Sequence, residues 1–422
     1  MEKEKQLILS IDKYKNILQN KKIVVAVSGG IDSLSLLLIT NEWAKSNNST
    51  VIGLTINHKL REEAGAEALY INNLCKKLGI EHYILTWEGE KPTTNIEAIA
   101  RENRYRLIKE FCDKNNIEYV LIAHHLQDQA ETFFIRLFRG SGIDGLSSME
   151  DITNLFGINI VRPFLNVKKE DLKEYLETKN IKWVEDSSNF DEKYLRNKIR
   201  NFLNSFENKE EILKRINLAV EKINVTKKII NDEIVKIENK TIVFSSFGSC
   251  SINKNLLLKQ NEEIILKILA NIAMKISGNI YKPRLEKLKR LLKNIRENDD
   301  LRYTFYGCIF EKFNEKLIMV YREYNSIDKD EKLVYNKEII WDNRFRIVLK
   351  KNEENLAITH IKEGEFNEIL EKIRKENFKK YKEMKEIRGI EKKIFYTLPV
   401  VKRNSEYLLE YGDIEINNFI NQ

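Results

Sequence analysis

Residues 24–38 read VVAVSGGIDSLSLLL. An apolar, β-branched run typical of a buried strand ends in Ser-Gly-Gly, and an apolar helical pattern begins almost at once. A glycine-rich turn in this position leaves backbone N–H groups unpaired, and the start of the helix adds positive partial charge. The stretch therefore predicts an anion cradle between a strand and a helix.

The side chains of this turn favour phosphate. Gly29 and Gly30 let the backbone approach the anion closely, and the hydroxyls of Ser28 and Ser33 can donate to its oxygens. Asp32 would repel a phosphate unless it holds a cation, so it indicates Mg²⁺ or a cationic substrate beside the phosphates. The alternative is an Asp/Ser helix cap that binds no ligand.

The first 200 residues alternate strand and helix patterns, as in KIVVAVS, DSLSLLLITNEWAK, VIGLTIN, AGAEALYINNLCKKLG and HYILTW. This βαβ rhythm predicts an α/β domain with a doubly wound parallel sheet. Ligands of such sheets bind at the carboxyl ends of the strands. We predict a catalytic domain over 1–205, a linker helix over 206–240, a helix-rich domain over 241–328 and a small α+β domain over 329–422.

Composition indicates a folded protein that stays in the cytoplasm. The chain has 422 residues, of which 42% are hydrophobic and 32% charged, and its N-terminus lacks the apolar core of a signal peptide. No apolar run is long enough to cross a bilayer. The net charge of +8 favours a polyanion such as nucleic acid, although a lysine-rich genome would give the same balance. The four cysteines are scattered singly, so spacing indicates neither a zinc site nor a redox pair.

A second group of polar residues lies in 119–142, YVLIAHHLQDQAETFFIRLFRGSG. His124, Asp128 and Glu131 recur at i, i+4 and i+7, which puts them on one helix face after a parallel strand. Asp128 could there share a metal or a cationic nucleophile with Asp32. The alternative is a solvated first turn whose acidic residues are favoured by the helix dipole.

A third group lies in 183–200, WVEDSSNFDEKYLRNKIR. Arg196 and Arg200, with Asn197 between them, form a donor cluster suited to phosphate or carboxylate, unless they only form salt bridges on a helix face. Residues 140–145, GSGIDG, match a dinucleotide fingerprint, but no strand precedes them, so we do not interpret them as one.

Taken together, these groups resemble the tRNA(Ile)-lysidine synthases, a family of the PP-loop ATP pyrophosphatase superfamily. The resemblance covers the N-terminal 200 residues, whereas the later residues match only in layout. One departure is the FYT segment before Leu398 and Pro399, where the family often has an arginine. The matching motifs are SGGIDS at 28–33, NHKLR at 57–61, RENRY at 101–105, HHLQDQAETFFIRLFRGSGIDGLSSM at 124–149, RPF at 162–164, and WVEDSSN with RNKIR within 183–200.

The resemblance implies a ligase that forms a C–N bond. ATP would adenylate C2 of the wobble cytidine of a CAU-anticodon isoleucine tRNA with release of pyrophosphate, and free lysine would then displace AMP to give lysidine. It implies a Rossmann-like PP-loop fold, ATP and Mg²⁺, C-terminal domains that grip the tRNA, no membrane and a possible homodimer. The basic stretch 379–393, KKYKEMKEIRGIEKK, is consistent with phosphate contacts.

The resemblance also implies roles for individual residues. Asp128 is our first choice to position the lysine amine and accept its proton. Asp32 and Asp128 would hold the metal, and Asp32, Arg104, His124 and Asp128 would be catalytic. The implied ATP-binding residues are Ser28, Gly29, Gly30, Ile31, Asp32, Ser33, Asn57 and His58. The implied substrate and tRNA residues are Arg61, Arg101, Glu131, Arg139, Arg196, Asn197 and Arg200.

Three other functions remain open from the sequence. A PP-loop tRNA cytidine thiolase would activate a similar base, but it would need paired cysteines or an iron–sulfur cluster, and no C-x-x-C is present. An amidotransferase-linked synthetase would need a glutaminase cysteine. A non-catalytic nucleotide-binding or tRNA-binding module could keep the fold, although Asp32 and Asp128 argue for chemistry.

Overall fold

The chain forms two compact units in a computed structural model, Met1–Ile229 and Ile230–Gln422. The boundary between them falls inside one long helix, Lys209–Thr241, which spans most of the predicted linker. The predicted domain limits at 205, 240 and 328 stay predictions. The structure describes residues 2–59, 64–88, 96–155, 157–184, 195–245, 248–279, 281–327, 330–362, 364–376, 390–404, 406–408 and 414–418.

The first unit alternates strands and helices. Its strands are β1 (Lys22–Ala26), β2 (Thr50–Asn57), β3 (Glu81–Thr86), β4 (Tyr119–Leu121), β5 (Ile152–Leu155) and β6 (Ile158–Val161). Its helices are α1 (Glu2–Asp12), α2 (Lys15–Leu18), α3 (Ile31–Lys45), α4 (Ala64–Leu78), α5 (Ile96–Lys114), α6 (Leu126–Phe138), α7 (Ile143–Leu146), α8 (Lys169–Thr178), α9 (Leu195–Asn204) and α10 (Lys209–Thr241), whose last residues enter the second unit.

These strands form one sheet in the order β3-β2-β1-β4-β6-β5. All neighbours are parallel except β5 and β6, so the predicted doubly wound parallel sheet is confirmed. The chain builds outward from β1 in one direction to β2 and β3, and in the other to β4 and β6. The gap between the carboxyl ends of β1 and β4 is therefore the switch point at which such sheets bind ligands.

The central strand is buried on both faces. Ile23 and Val25 pack into a core with α1, α3 and α8, whereas Val24 packs into the core on the opposite face with α5. Alternate side chains of a strand point to opposite faces, so a continuous apolar run is what a strand covered on both sides requires. This explains why VVAV reads as apolar throughout.

The second unit combines helices with antiparallel sheets, as the helix-rich and α+β predictions required. Its sheets have the orders β7-β8-β11-β10-β9, β12-β15-β16-β17 and β13-β14-β18. Its strands are β7 (Ile242–Phe244), β8 (Cys250–Asn253), β9 (Arg302–Phe305), β10 (Cys308–Lys312), β11 (Leu317–Arg322), β12 (Glu331–Lys332), β13 (Glu338–Trp341), β14 (Phe345–Leu349), β15 (Leu356–His360), β16 (Pro399–Arg403), β17 (Glu406–Tyr407) and β18 (Ile414–Asn418). Its helices are α11 (Lys254–Leu258), α12 (Glu262–Ser277), α13 (Leu285–Glu297), α14 (Phe366–Glu376) and α15 (Ile390–Phe395).

Most of the basic stretch 379–393 lies outside the described residues, so the structure says nothing of its predicted tRNA contacts. Within the described ranges, the helices are all too short or too polar to cross a membrane.

Candidate active site

The Ser-Gly-Gly turn joins the end of β1 to the start of α3 in a conformation that needs glycine. Gly29 has a φ of +88°, and a Cβ there would lie 3.1 Å from Ile71 Cδ1 and 3.3 Å from Val184 Cγ2. The backbone N–H of Val184 donates to the carbonyl of Gly29 at 2.9 Å. Side-chain crowding and a left-handed backbone therefore both fix this position as glycine.

The two serines of the turn hold it in shape. The backbone N–H of Ser28 donates to Ser33 Oγ at 3.1 Å, and Ser33 Oγ donates to the carbonyl of Gly30 at 3.1 Å. The two hydroxyl oxygens lie 3.2 Å apart. Because Ser33 donates its hydroxyl proton inside the turn, it supports the shape of the cradle. Ser28 lies nearer the opening of the cradle.

Asp32 lies in the first turn of α3 with an incompletely satisfied carboxylate. Its Oδ1 is buried and has no hydrogen-bond partner among the described residues, while its Oδ2 lies 3.6 Å from His125 Nε2. Burial raises the pKa of Asp32 above its usual value. A buried carboxylate oxygen without a partner is costly, so this oxygen fits a site that receives a cation.

Asp128 faces Asp32 from the first turn of α6. Its Oδ2 accepts from the backbone N–H of His125 at 3.0 Å, and its Oδ1 accepts from Arg196 Nη2 at 2.6 Å. Burial alone would raise the pKa of Asp128, but His125, Arg196 and His124 outweigh it and hold the pKa at about 2. Asp128 is therefore ionised at neutral pH.

Glu131 lies one turn further along α6 and is almost fully buried. With its side chain only 1% exposed, it accepts from Arg196 Nε at 2.6 Å and from Arg200 Nε at 2.8 Å. These ion pairs join α6 to α9 above a small apolar core that includes Leu126, Ile199 and Leu203. The second and third sequence groups thus meet in one network.

Histidine and arginine side chains form the other part of the site. Burial lowers the pKa of His124 to about 4, so its imidazole is neutral at pH 7, and no described residue hydrogen-bonds to its buried Nδ1. Arg104 Nε approaches His58 Nε2 at 3.4 Å, and the Arg101 guanidinium lies 5.1 Å from the centroid of the Tyr105 ring. These groups can donate to, accept from and stack on a planar base.

Apart from Gly29 and Glu131, these groups line one cleft of about 480 Å³ between β1, β4 and the helices that follow them. This volume suits a nucleotide-sized ligand. The predicted residues that line the cleft are Ser28, Gly30, Asp32, Ser33, His58, Arg101, Arg104, His124, Asp128, Arg196, Asn197 and Arg200.

The remaining predicted residues lie elsewhere. Glu131 lies beneath the lining, bound to the two arginines that reach it. Ile31 packs against the core, and the Asn57 side chain accepts from the backbone N–H of Lys59 at 2.9 Å. Arg139 lies at the opposite end of α6 from Asp128. Gly29 shapes the turn without lining the cleft, and Arg61 is outside the described residues.

Two basic residues that line the cleft were not predicted as site residues from the sequence. His125 caps α6 and lies between Asp32 and Asp128, at 3.6 and 3.5 Å from their nearer oxygens. Lys169 begins α8 and lines the cleft on the side of Asp32. The adjacent His-His pair was a signal for the first of them. Lys169 carries no local signal, because only the pairing of β6 with β4 brings it near the cradle.

The site fits one metal ion bound with phosphates. Mg²⁺ commonly takes one or two carboxylates together with substrate phosphates and waters, and the unpartnered oxygen of Asp32 can supply such a ligand. Both oxygens of Asp128 are engaged, so its predicted metal role requires Arg196 to release it. The described residues hold no cluster of three or more metal-ligating side chains.

The chain is similar to several known proteins. The model of the PP-loop domain family matches residues 3–206. A tRNA(Ile)-lysidine synthase of Wolbachia pipientis wMel is 36% identical over 94% of this chain and 90% of its own length. One from Orientia tsutsugamushi (strain Boryong) is 34% identical over 91% and 87%. A U34-tRNA thiolase, NcsA from Methanococcus maripaludis with its [4Fe–4S] cluster, is 18% identical over 51% of this chain and 78% of its own, with a TM-score of 0.44.

Proposed function

The chain belongs to the tRNA(Ile)-lysidine synthase family, and from this premise we propose how its cleft performs the reaction. The protein is a ligase that joins lysine to the wobble cytidine of a CAU-anticodon isoleucine tRNA and forms lysidine. ATP adenylates the C2 oxygen of the cytosine and pyrophosphate leaves. The lysine amine then attacks C2, and AMP departs with the oxygen.

One observation carries the assignment of roles. An anion cradle and a pair of carboxylates face each other across a single cleft, with Asp32 and Asp128 both within 3.6 Å of His125 Nε2. The cradle can hold phosphates, and the two carboxylates can hold cations, a metal ion at Asp32 and an ammonium group at Asp128. A reaction between a nucleotide triphosphate and a cationic amine needs both at the same place.

The turn from Ser28 to Gly30 binds the triphosphate in this proposal. Its backbone N–H groups and the start of α3 face the phosphate oxygens, and Lys169 adds a positive charge at the same side of the cleft. Asp32 would hold Mg²⁺, and the bound ion would neutralise charge on the phosphates and on pyrophosphate.

The wobble cytidine lies against His124, His58 and Arg104. The cytosine carbonyl is a weak electrophile and its oxygen a poor leaving group, so adenylation supplies the activation. Arg104 can donate to the base or to the adenylate. The free Nδ1 of neutral His124 can contact the edge of the cytosine that carries the C2 carbonyl.

Asp128 binds the lysine side chain at a place that Arg196 now shares, and Glu131 beneath the lining holds Arg196 and Arg200 in position. A carboxylate with a pKa of about 2 attracts an ammonium group strongly but accepts a proton poorly. We therefore assign positioning of the lysine to Asp128, and we assign the proton to the neutral His124 imidazole, which is the stronger base.

The cleft lacks the groups that the alternative function, a tRNA cytidine thiolase, would need. Sulfur delivery needs exposed paired cysteines or a cluster. Cys75 and Cys112 are buried in the cores of the first unit, and Cys250 and Cys308 are buried in the second. None of these four side chains lines the cleft.

The partners follow from the reaction: tRNA, free lysine, ATP and Mg²⁺ meet in the cytoplasm, and we place the protein there. A homodimer stays a prediction.

The test is incubation of the protein with ATP, Mg²⁺, radiolabelled lysine and an unmodified CAU-anticodon isoleucine tRNA transcript. We expect acid-precipitable label that requires ATP. The matched control is the same transcript with uridine at the wobble position, which should accept none. Equal labelling of both transcripts, or none of the first, would overturn the proposal.

A further inference from the structure

One end of the α6–α9 pair carries a group of four aromatic rings, here called the aromatic end, in which the partly buried Phe134 contacts the exposed Phe138 and Phe202 and is followed by the exposed Phe206. Phe138 is 63% exposed, Phe202 45% and Phe206 37%. The rings form a chain of contacts, with centroids 5.8 Å apart for Phe134 and Phe138, 5.7 Å for Phe134 and Phe202, and 5.1 Å for Phe202 and Phe206. Soluble proteins rarely expose such a group without a partner.

The aromatic end is continuous with the cleft. The two helices run side by side in the same direction, since Arg196 pairs with Asp128, Arg200 with Glu131, and Phe202 packs on Phe134. Asp128 and Phe138 are ten residues apart on α6, which is about 15 Å along the helix. A substrate that enters the cleft with one nucleotide therefore brings its neighbours close to the rings.

The charges beside the rings suit a polyanion. Arg139 follows Phe138 directly, and Lys198 lies on the exposed side of α9. Neither forms an ion pair with any residue that the structure describes, in contrast to Arg196 and Arg200. A second copy of the chain, docked here by two-fold symmetry, would place these like charges against each other.

We propose that the aromatic end binds the unpaired anticodon-loop bases next to the reacting cytidine by stacking. This inference rests on the proposed function, because it takes the wobble cytidine to be the base that enters the cleft. An enzyme that acts on a base must take it out of the stack, which leaves the faces of its neighbours uncovered. Aromatic side chains cover such faces in single-stranded RNA, and cations beside them contact the phosphates.

The test compares variants of Phe138 in direct binding of the unmodified tRNA transcript by filter binding, without ATP or lysine. Phe138→Ala should weaken binding by about 5- to 100-fold, the range for loss of one stacked base. Phe138→Leu should lose most of the same affinity because it keeps apolar area but has no π face, whereas Phe138→Trp should keep it. Leu9→Ala is the control, since Leu9 on α1 is also 63% exposed.

A transcript that lacks the base adjacent to the wobble cytidine on either side gives a second readout. If a ring stacks on one of these bases, one of the two base-less transcripts should bind the wild type and Phe138→Ala equally. Unchanged tRNA binding by Phe138→Ala and Phe202→Ala would overturn the inference. A second outcome would also overturn the inference: full tRNA affinity of Phe138→Leu, together with a shift from dimer to monomer on sedimentation of Phe138→Ala. That outcome would assign the surface to a second copy of the chain.

Failure of the proposed function gives a different pattern. If the wild type binds the transcript but transfers no lysine, the binding series still decides whether the rings stack on the loop. If it binds no tRNA, both proposals are wrong.

Discussion

Arg196 donates from Nη2 to Asp128 Oδ1 at 2.6 Å. The same guanidinium donates from Nε to Glu131 at 2.6 Å, so one arginine bridges both carboxylates of α6. The network keeps Asp128 ionised and fixes α9 beside the cleft. It also means that a cationic substrate must share these carboxylates with the arginines. The same ion pairs therefore contribute both to the stability of the α6–α9 contact and to substrate binding.

The first prediction concerns Asp32→Asn. Asparagine has nearly the shape of aspartate but carries no charge. The substitution removes a buried charge, so the fold should be kept and the melting temperature should not fall. Pyrophosphate release with ATP and tRNA should drop by about a hundredfold or more, because the cation on the phosphates loses its ligand. Asp113→Asn, on the exposed side of α5, is the control and should leave the rate unchanged. Near wild-type release by Asp32→Asn would refute the metal assignment.

The second prediction concerns Glu131→Gln, which leaves Arg196 and Arg200 without their buried partner. We expect the free energy of unfolding to fall by about 1–3 kcal/mol, less than for a fully buried pair because both arginines are partly exposed. Urea unfolding measures it. The matched control is Glu110→Gln, whose exposed pair with Arg106 should contribute within about 0.5 kcal/mol. Equal effects of the two substitutions would contradict the account.

The third prediction concerns Gly29→Ala. The new Cβ would meet Ile71 and Val184 and would hold a left-handed backbone, so the cradle must deform. The KM for ATP should rise at least about tenfold, with a smaller loss of stability. Gly65→Ala on α4 adds a methyl group with no atom within 4 Å and should be neutral or stabilising by up to about 1 kcal/mol. An unchanged KM in Gly29→Ala would show that the cradle does not bind the triphosphate.

The fourth prediction is a pH dependence that His82 confers on stability. His82 contacts Thr55 Oγ1 at 2.9 Å and Asn72 Oδ1 at 3.1 Å behind the cradle, and burial lowers its pKa to about 4. The unfolded chain has the higher pKa, about 6.5, so it binds the proton first. The stabilisation that neutral, buried His82 provides is complete above about pH 6.5 and is lost as the pH falls toward 4. His82→Gln should unfold with a flatter pH profile between pH 7 and 4.5, and parallel profiles would contradict this.

The sequence predicted the sheet and the cradle because their signals are local. Val24 and Val25 lie in a continuous apolar run, and Gly29, Gly30 and Asp32 follow within a few residues. The meeting of Asp32 with Asp128 also followed, since parallel strands end at one edge. These predictions needed only chain order and strand direction.

Other features depend on contacts between distant segments. Lys169 reaches the cleft because β6 pairs beside β4. The alternating stretches LRYTFYG (301–307) and KLIMVYRE (316–323) predict a hairpin between these two strands. That pairing is wrong, because β10 (Cys308–Lys312) lies between β9 and β11 and pairs with both. Spacing alone also left Arg196 and Arg200 undecided between ligand and ion pair. Their acidic partners lie about 65 residues away, so only the folded chain identifies them.

The most direct measurement of the central claim uses ATP labelled at the α-phosphate. Without lysine, wild-type protein should transfer label to the CAU-anticodon transcript and none to the transcript with uridine at the wobble position. Added lysine should then release the label as AMP. Pyrophosphate release with no label on the tRNA, or label that lysine cannot discharge, would contradict the adenylation and lysine-transfer account.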